Sequence, residues 1–338
     1  MKEPIIGQDA KDHLLVASNM TGVSTSQLDA DEKTAWIFAF GVLLVVATMG
    51  NSLVTWFIIA RRRLAKAHSC FMLSLTIADF AMLYLEGIFN FIYILDGHWR
   101  FGTTYCMIDR FLSELTNAAS IFTLTVTSYD RYLAIVKPFF PRSTRKRAVL
   151  TIFTCWIIAV TLATPNLLYS NEFISSGEDL TKCEIVWPEQ DVILNNYSYR
   201  ILVFLITYLL PSVSMAYWNF RIAVVLTTST VLTVEDDGMR NNLQLSVLIK
   251  KRKNLAGGMW AILVIFCLCW LPYQTYLMYQ AFQTEENVTT KRIYMSVYWL
   301  AIANAAVNPV LFYRLDKQYR ECVRTFCKRI SNCFETPA

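Results

Sequence analysis

The chain has 338 residues, of which 55% are hydrophobic and only 17% are charged, against about 25% charged in an ordinary soluble domain. This composition excludes a disordered chain, and it leaves too little polar surface to cover a water-soluble domain of this length. The 31 basic and 26 acidic residues give a net charge of +5, but the basic residues form short clusters between uncharged runs. Such a distribution does not indicate nucleic-acid binding. The nine cysteines lack the spacing of a zinc site.

Seven mainly apolar runs are each long enough to cross about 30 Å of hydrocarbon as a helix. They cover residues 34–60, 67–95, 104–136, 148–171, 201–220, 254–284 and 293–313. Charged residues interrupt only the second and third runs, and no run shows the period-two alternation of a membrane barrel. We therefore predict an all-α membrane protein with a seven-transmembrane helix bundle. The stretch 316–328 has an apolar face bordered by Lys and Arg, which predicts a short amphipathic cytoplasmic eighth helix.

Most of the Lys and Arg residues lie on one side of the predicted bundle, where four segments hold 22 of the 31. These segments are 61–66, 131–147, 221–253 and 314–329. The positive-inside rule places them in the cytoplasm and the N-terminus outside. Three N-x-S/T glycosylation sequons fall on the outer side, at Asn19, Asn196 and Asn287. We predict an extracellular tail at 1–33, a transmembrane domain at 34–315, and a cytoplasmic helix and tail at 316–338, with a mobile loop at 227–250.

Ionisable side chains inside a membrane span are costly, so each one needs a role. Asp79 lies at mid-membrane depth in the second span. Oxygen-bearing side chains lie at similar depth in the first, third and seventh spans: Asn51, Ser120, Asn304 and Asn308. Together these side chains could coordinate a small hard cation. The alternative is a water-filled polar network that only fixes helix packing.

The sequence Asp130-Arg131-Tyr132 ends the third span on its cytoplasmic side. By itself it is typical of an interfacial charge pair whose arginine reaches out of the membrane. Prolines change this interpretation because they kink helices and predict hinges in a two-state bundle. They lie deep in or near the ends of four spans, at Pro165, Pro211, Pro272 and Pro309.

Seven motifs, each on its own span and in the same order, resemble those of the rhodopsin-like (class A) G-protein-coupled receptors. They are Gly50-Asn51, Leu75-x-x-Ala78-Asp79, Asp130-Arg131-Tyr132, Trp156, Pro211, Cys269-Trp270-x-Pro272 and Asn308-Pro309. Other segments are similar to the tachykinin (neurokinin) receptor subfamily. They are Phe89-Asn90-Phe91-x-Tyr93, Trp99-x-Phe101-Gly102, Ala134-Ile135-Val136-x-Pro138-Phe139, Thr181-Lys182-Cys183-x-x-x-Trp187-Pro188-Glu189, Trp270-Leu271-Pro272-Tyr273 and Tyr298-Trp299-Leu300-Ala301. The segment in the second extracellular loop is the most specific, because loops diverge fastest.

The resemblance implies roles for the residues that match the family motifs. Cys106 and Cys183 would form a disulfide between the third span and the second extracellular loop. The implied sodium site is Asp79, Ser120, Asn304 and Asn308, and no other cofactor is implied. The implied activation switch is Asp130, Ile121, Pro211, Phe266, Trp270, Asn308 and Pro309. Arg131 and Phe139 would contact the G protein, and Cys327 would carry palmitate, with membrane-facing packing as the alternative.

The resemblance also implies a ligand pocket. Aminergic relatives carry an Asp at the position of Ser113, so a peptide is favoured over a small amine. The implied ligand-binding residues are Glu86, Asn90, Asp109, Arg110, Ser113, Asn166, Arg200, Tyr273, Gln274, Tyr294 and Tyr298. Vertebrate tachykinin receptors are largely neutral here, so we hypothesise that Glu86 and Asp109 receive a ligand arginine, as in invertebrate tachykinin-related peptides that end in Arg-amide. The alternative is that the charges pair among themselves, for example Asp109 with Arg200; Glu114 is a further candidate.

Two residues depart from the family pattern. Most members have Tyr at the positions of Asn219 and Phe312, and neither residue here supplies a phenol. Tyr217 and Tyr313 lie one or two positions away, and we expect them to face other directions because each residue turns a helix by about 100°. Other contacts would then hold the active state.

The implied partners are an amidated peptide of tachykinin type and a heterotrimeric G protein, of the Gq class with calcium release, at the plasma membrane. Arrestin recruitment through the tail is expected to be weak, because only Ser331 and Thr336 follow Lys328 as phosphorylatable residues. The alternatives are a receptor for another amidated neuropeptide family and an ion channel or transporter, for which the sequence lacks a continuous polar path or half-helix repeats. The last span has no Schiff-base lysine for a retinal pump, and no phosphate-loop or hydrolase motif indicates an enzyme.

Overall fold

The computed structural model describes residues 28–137, 139–141, 143–174, 180–187, 192–236, 242–280 and 288–335. They form α1 (Ala30–Ala60), α2 (Ala67–Ala81), α3 (Ile88–Asp96), α4 (Gly102–Val136), α5 (Arg145–Tyr169), β1 (Ser170–Ile174), β2 (Thr181–Ile185), α6 (Val192–Phe204), α7 (Leu210–Asp236), α8 (Asn242–Gln280), α9 (Val288–Leu315) and α10 (Lys317–Glu335). A π-turn at Met82–Gly87 joins α2 to α3, and a second at Leu205–Leu209 joins α6 to α7. Spans 1 to 7 are therefore α1, α2–α3, α4, α5, α6–α7, α8 and α9.

Six of the seven spans are long and apolar enough to cross a membrane, and the exception is span 3. Span 3 is a helix of 35 residues that carries five charges. It packs against spans 2, 4 and 5, so that protein rather than lipid surrounds those charges. By contrast, large apolar side chains such as Phe38 and Leu150 are exposed on spans 1 and 4, where lipid would cover them. The predicted seven-helix bundle is confirmed.

The connection between spans 4 and 5 contains the antiparallel hairpin β1–β2, in which Glu172 pairs with Cys183. These two strands were not predicted, because five residues are too short to give a periodic signal. An isolated two-stranded hairpin is marginally stable, and here two contacts support it. The Trp99 backbone N–H donates to the Thr181 carbonyl at 2.8 Å, and a disulfide joins Cys183 to Cys106 of span 3. The predicted disulfide is confirmed.

The predicted mobile loop at 227–250 is wrong over most of its length. Helix α7 continues to Asp236 and α8 already begins at Asn242, while residues 237–241 lie outside the described ranges. Residues 227–236 contain no Gly or Pro, so no residue in this segment stops the helix. Both helices therefore extend beyond the limits that hydropathy alone predicted.

The predicted amphipathic eighth helix is α10, which runs further than the predicted 316–328. Asp316 caps it, because its Oδ1 accepts the backbone N–H of Gln318 at 2.8 Å and of Tyr319 at 3.1 Å. Burial alone would raise the pKa of Asp316, but these N–H groups and the Arg63 guanidinium hold it below its usual range. The ring of Tyr319 packs edge-on against Phe57 of span 1, with centroids 5.1 Å apart.

The Gly50-Asn51 motif joins spans 1 and 7. A Cβ at Gly50 would lie 2.7 Å from Pro309 Cγ, so only glycine permits this close approach. The Asn51 Nδ2 group donates to the carbonyls of Ala47 and Ala305, both at 3.0 Å. The second contact crosses to span 7 and occupies a backbone carbonyl four residues before Pro309, whose missing N–H leaves that carbonyl free.

Candidate ligand-binding and signalling sites

Glu86 lies in the outer half of the bundle, within the π-turn of span 2. Gly87 makes this turn possible, because a Cβ there would lie 2.8 Å from the Met82 carbonyl. The Glu86 side chain is buried, and its Oε1 accepts from the Tyr298 hydroxyl at 3.1 Å and the Asn90 amide at 3.5 Å. The Glu86 carboxylate thus connects spans 2 and 7. π-Turns within α-helices frequently occur at functional sites.

Asp109 of span 3 is fully buried and interacts electrostatically with Glu86. Arg110 Nε lies 3.9 Å from Asp109 Oδ2, and Arg110 Nη2 donates to Asn90 Oδ1 at 3.2 Å. The guanidinium also lies 5.8 Å from the centre of the Tyr93 ring. Within the described residues, neither carboxylate oxygen of Asp109 accepts a hydrogen bond. Asp109 therefore keeps acceptor capacity despite its charged neighbour.

A cavity beside Glu86 collects several of the predicted ligand residues. Its lining is Met82, Glu86, Ser113, Asn117, Trp270, Tyr273, Tyr298, Ala301 and Ile302. Tyr294 joins this group through its ring, whose centroid lies 6.0 Å from that of Tyr298 and 6.5 Å from that of Tyr273. Gln274 is buried and donates to Thr207 Oγ1 at 3.5 Å. The sequence analysis missed Asn117, although its spacing of four residues from Ser113 places both on one helix face.

A second charged pair lies between spans 3 and 5. Arg200 interacts electrostatically with Glu114, whereas the ion pair of Asp109 is with Arg110. The alternative that the pocket charges pair among themselves is therefore supported for Asp109 with Arg110, whereas no ion pair joins Asp109 to Arg200 among the described residues. Asn166 of span 4 is also buried on this side, where it interacts with the hydroxyl of Tyr199, the neighbour of Arg200.

The mid-membrane residues are all buried at 2% exposure or less. Asp79 Oδ2 accepts from Asn308 Nδ2 at 2.9 Å, which joins spans 2 and 7. Four oxygens of this set have no hydrogen-bond partner within the described part of the chain: Asn51 Oδ1, Asp79 Oδ1, Ser120 Oγ and Asn308 Oδ1. The Asn304 amide nitrogen is likewise unpaired there. Spare buried oxygens are suited to a hard cation and equally to ordered water, so both interpretations remain open.

The predicted activation-switch residues lie in the bundle core. Ile121 and Phe266 are each 1% exposed and belong to one apolar cluster with Trp270. Pro211 of span 5 is also buried. It lies two residues after the end of the π-turn at Leu205–Leu209. This sequence of a π-turn and a proline leaves part of the backbone hydrogen-bond ladder of span 5 irregular.

At the end of the bundle that is predicted to face the cytoplasm, Arg131 and Phe139 have different surroundings. Arg131 Nη2 donates to His68 Nε2 at 2.8 Å, and among the described residues no carboxylate, including Asp130, lies within ion-pair distance of it. Phe139 is fully exposed, at 102%. An exposed aromatic side chain in a cytoplasmic loop is available to a partner protein.

The two departures from the family pattern occupy distinct positions. Asn219 is buried and donates from Nδ2 to the Met259 carbonyl of span 6 at 3.0 Å. Phe312 is buried in the cavity that also holds Arg131. Tyr217 is 51% exposed and Tyr313 accepts from Arg324 Nε at 3.3 Å. The prediction that these two tyrosines face elsewhere is confirmed.

The predicted modification sites are only partly within the described residues. Cys327 is exposed on α10, and Asn196 is half-buried near the start of α6. Asn19 and Asn287 lie outside the described ranges. Palmitoylation and glycosylation stay predictions.

Comparison with known proteins gives a consistent assignment. Residues 50–312 match the 7 transmembrane receptor (rhodopsin family). The Tachykinin-like peptides receptor 86C of Drosophila melanogaster is 32% identical over 320 residues, which cover 92% of this chain and 62% of the relative. The Substance-K receptor of Mus musculus is 30% identical over 309 residues, covering 91% and 79%. The Neuromedin-K receptor of Cavia porcellus is 30% identical over 287 residues, covering 84% and 63%. The chain thus spans under two thirds of the fly and guinea-pig proteins.

Proposed function

Because the chain belongs to the rhodopsin family of seven-transmembrane receptors, we propose that it is a G-protein-coupled receptor for an amidated neuropeptide of tachykinin type. The family consists of receptors, which confirms the prediction that the chain is not an enzyme, and it makes the chain a multi-pass membrane protein. The relatives in fly, mouse and guinea pig support the ligand class. The observation that carries the proposal is the outer cavity, where spans 2, 3, 6 and 7 converge on Glu86.

The charge of the outer pocket favours a cationic ligand. Three carboxylates, on Glu86, Asp109 and Glu114, accompany two guanidinium groups, on Arg110 and Arg200. The formal balance is one negative charge, and neither oxygen of Asp109 accepts a hydrogen bond within the described residues, although Arg110 forms an ion pair with it. A buried carboxylate gains most from a guanidinium, which can donate two parallel hydrogen bonds. We infer a peptide whose amidated end carries an arginine.

On the cytoplasmic side, the proposed partner is a heterotrimeric G protein, of the Gq class. Arg131 would contact it at the end of span 3, and the exposed ring of Phe139 would insert into a pocket of its α subunit. The N-terminus would face the extracellular side of the plasma membrane, and α10 would lie on the lipid surface.

The experiment that tests this function is a calcium-release assay in cells that express the chain, with a panel of amidated neuropeptides. Tachykinin-type peptides ending in Arg-amide should act at the lowest concentrations, followed by Met-amide tachykinins. A response confined to an unrelated amidated peptide would instead support the alternative receptor class. Arg131→Ala serves as the control, because it should remove the calcium signal and keep peptide binding at the surface.

A sodium ion at Asp79 is proposed as an allosteric ligand. We expect sodium chloride, compared with N-methylglucamine chloride at equal ionic strength, to lower agonist affinity several-fold in the unaltered receptor, since a ligand that prefers the resting state opposes one that prefers the active state. Asp79→Asn should remove this dependence. Equal salt effects on both proteins, measured by peptide binding to membranes, would leave the water-filled network as the better explanation.

The Asn219 and Phe312 departures yield a separate prediction. Restoring both tyrosines, as Asn219→Tyr with Phe312→Tyr, is expected to raise agonist potency about three- to tenfold, because one added hydrogen bond contributes about 0.5–1.5 kcal/mol. Calcium release measures the potency, and Tyr217→Phe is the control because that hydroxyl lies on an exposed side chain. Unchanged basal activity and unchanged potency would show that the missing phenols do not limit activation.

A further inference from the structure

Four polar residues on the cytoplasmic side form a connected group that the family motifs do not include as a unit. Arg131 of span 3 donates to His68 Nε2, at the first turn of span 2, at 2.8 Å. His68 interacts electrostatically with Asp316 and Arg63. Those two form an ion pair of 3.2 Å, with both side chains about 10% exposed. The group therefore runs from span 3 through span 2 to the first cytoplasmic turn and the start of α10.

The hydrogen bond between Arg131 and His68 can have only one direction. A guanidinium donates hydrogen bonds and cannot accept them, so His68 Nε2 is the acceptor and the imidazole is neutral, with its proton on Nδ1. Within the described residues Nδ1 has no hydrogen-bond partner. The contact with Arg131 therefore determines that Nε2 is the ring nitrogen that faces span 3.

The surroundings of Arg131 offer few other acceptors. The cavity that holds its head group is lined by His68, Leu124, Thr127, Met259, Ile262, Asn308, Leu311 and Phe312. Of the other polar groups, the Thr127 hydroxyl donates to the Thr123 carbonyl at 2.7 Å, and Asn308 donates to Asp79 through Nδ2 while its Oδ1 has no partner among the described residues. Arg131 Nε is buried without a partner among the described residues. Loss of His68 would leave a buried guanidinium without its side-chain acceptor, which is unfavourable.

Asp316 interacts electrostatically with His68, but its oxygens have other partners. Its Oδ2 pairs with Arg63 and its Oδ1 caps α10, so both oxygens are already engaged. Because both oxygens are engaged, the carboxylate accepts no hydrogen bond from the imidazole among the described residues, and it offsets the positive charge of Arg63 beside it. The imidazole remains available as an acceptor for span 3.

We propose that His68 is the resting-state acceptor that holds the Arg131 guanidinium against span 2 and thereby restrains signalling in the absence of ligand. His68 is a positioning residue, acting through Arg131, and this role rests on the proposed function of Arg131 as the G-protein contact. The acceptor that restrains Arg131 is thus an imidazole on the neighbouring span rather than the adjacent carboxylate of Asp130.

The first test is a double-mutant cycle on melting temperature in the purified full chain. His68→Phe keeps a planar ring and removes the acceptor, and it should lower the Tm by roughly 2–4 °C. On the Arg131→Met background the same change should have less than half that effect, because no guanidinium remains to be satisfied. His68→Gln, whose amide oxygen can accept, should melt close to the parent. Equal shifts on both backgrounds would overturn the proposed contact.

The second test measures ligand-free guanine-nucleotide exchange on purified Gq heterotrimer. A hydrogen bond to a charged group shifts an equilibrium by about tenfold, so His68→Phe should raise basal exchange by about that factor. His68→Gln and Lys66→Ala, which changes an exposed side chain, are the controls and should match the parent. Basal exchange of His68→Phe at the parental level would overturn the restraint even if the melting cycle showed coupling. If His68→Phe does not express, His68→Leu replaces it in both tests.

The two tests separate this inference from the proposed function. If no peptide stimulates exchange in the unaltered receptor, the ligand assignment fails, whereas the melting cycle still decides whether His68 holds Arg131. If peptides do stimulate exchange and the melting cycle shows no coupling, the assignment of the receptor stands and the role of His68 is wrong.

Discussion

Neutralising the two acidic residues of the outer pocket, as Glu86→Gln with Asp109→Asn, is expected to lower the affinity for a peptide ending in Arg-amide by about 30-fold or more. Truncating one partner of a buried, hydrogen-bonded charge pair costs about 2–5 kcal/mol, and about 1.4 kcal/mol corresponds to tenfold. The affinity for a matched Met-amide peptide should change little, because its side chain carries no charge. Competition binding with both peptides on membranes measures the two affinities.

The reason for this large effect is the environment of Asp109. Its side chain is fully buried, yet neither carboxylate oxygen accepts a hydrogen bond within the described residues. A ligand guanidinium would satisfy both oxygens, and Glu86 next to it adds a second carboxylate. Asp96→Asn is the matched control, because its carboxylate pairs with Arg100 at the outer end of span 2. Parallel losses for both peptides would mean that the substitutions only disturb the pocket, and an unchanged preference would exclude charge recognition.

Replacing the disulfide cysteines, as Cys106→Ser with Cys183→Ser, is expected to destabilise the receptor by about 2–5 kcal/mol and to lower its Tm by more than about 5 °C. The disulfide links β2 to span 3 across 77 residues. Without it, the hairpin depends on non-covalent contacts such as those of Thr181 with Trp99 and His98, which are weak anchors for a two-stranded sheet. Thermal melting of the purified protein and surface expression measure the effect.

The control for this prediction is Cys327→Ser, which changes an exposed thiol on α10. It should leave the Tm of the bundle close to that of the parent. The double cysteine variant should also bind peptide more weakly, since the hairpin lies beside the outer end of span 3. A double variant that melts like the parent would mean that the helices hold the loop without the covalent link.

The hydropathy pattern predicted the bundle because a membrane span needs a long apolar run, and this requirement acts on composition directly. Span 3 illustrates the limit. It fails a stricter test of apolarity, and the sequence predicted it as a span only because charged interruptions of its apolar run were accepted. The hairpin β1–β2 escaped prediction because a disulfide and neighbouring helices stabilise it, and such support is not visible in five-residue strands.

Which residues form a site was easier to predict than which of those residues pair with each other. The sequence placed Glu86, Asp109 and Arg110 in one pocket, but the pairing of Arg200 with Glu114 depends on helix rotation, which single charges do not reveal. His68 was missed altogether, because a histidine at the start of a helix carries no signal of its own. Its role becomes visible only when span 2 brings it to 2.8 Å from Arg131.

The π-turn at Met82–Gly87 has a consequence for how the outer pocket could change over time. Each residue turns a helix by about 100°, and a π-turn absorbs one extra residue. Conversion of this turn to a regular helix with the same number of residues would rotate everything beyond it, Asn90 included, by about that angle. The inner half, with Asp79, would keep its orientation. Ligand preference could thus be altered by a change in this one turn while the transmission apparatus below stays in register.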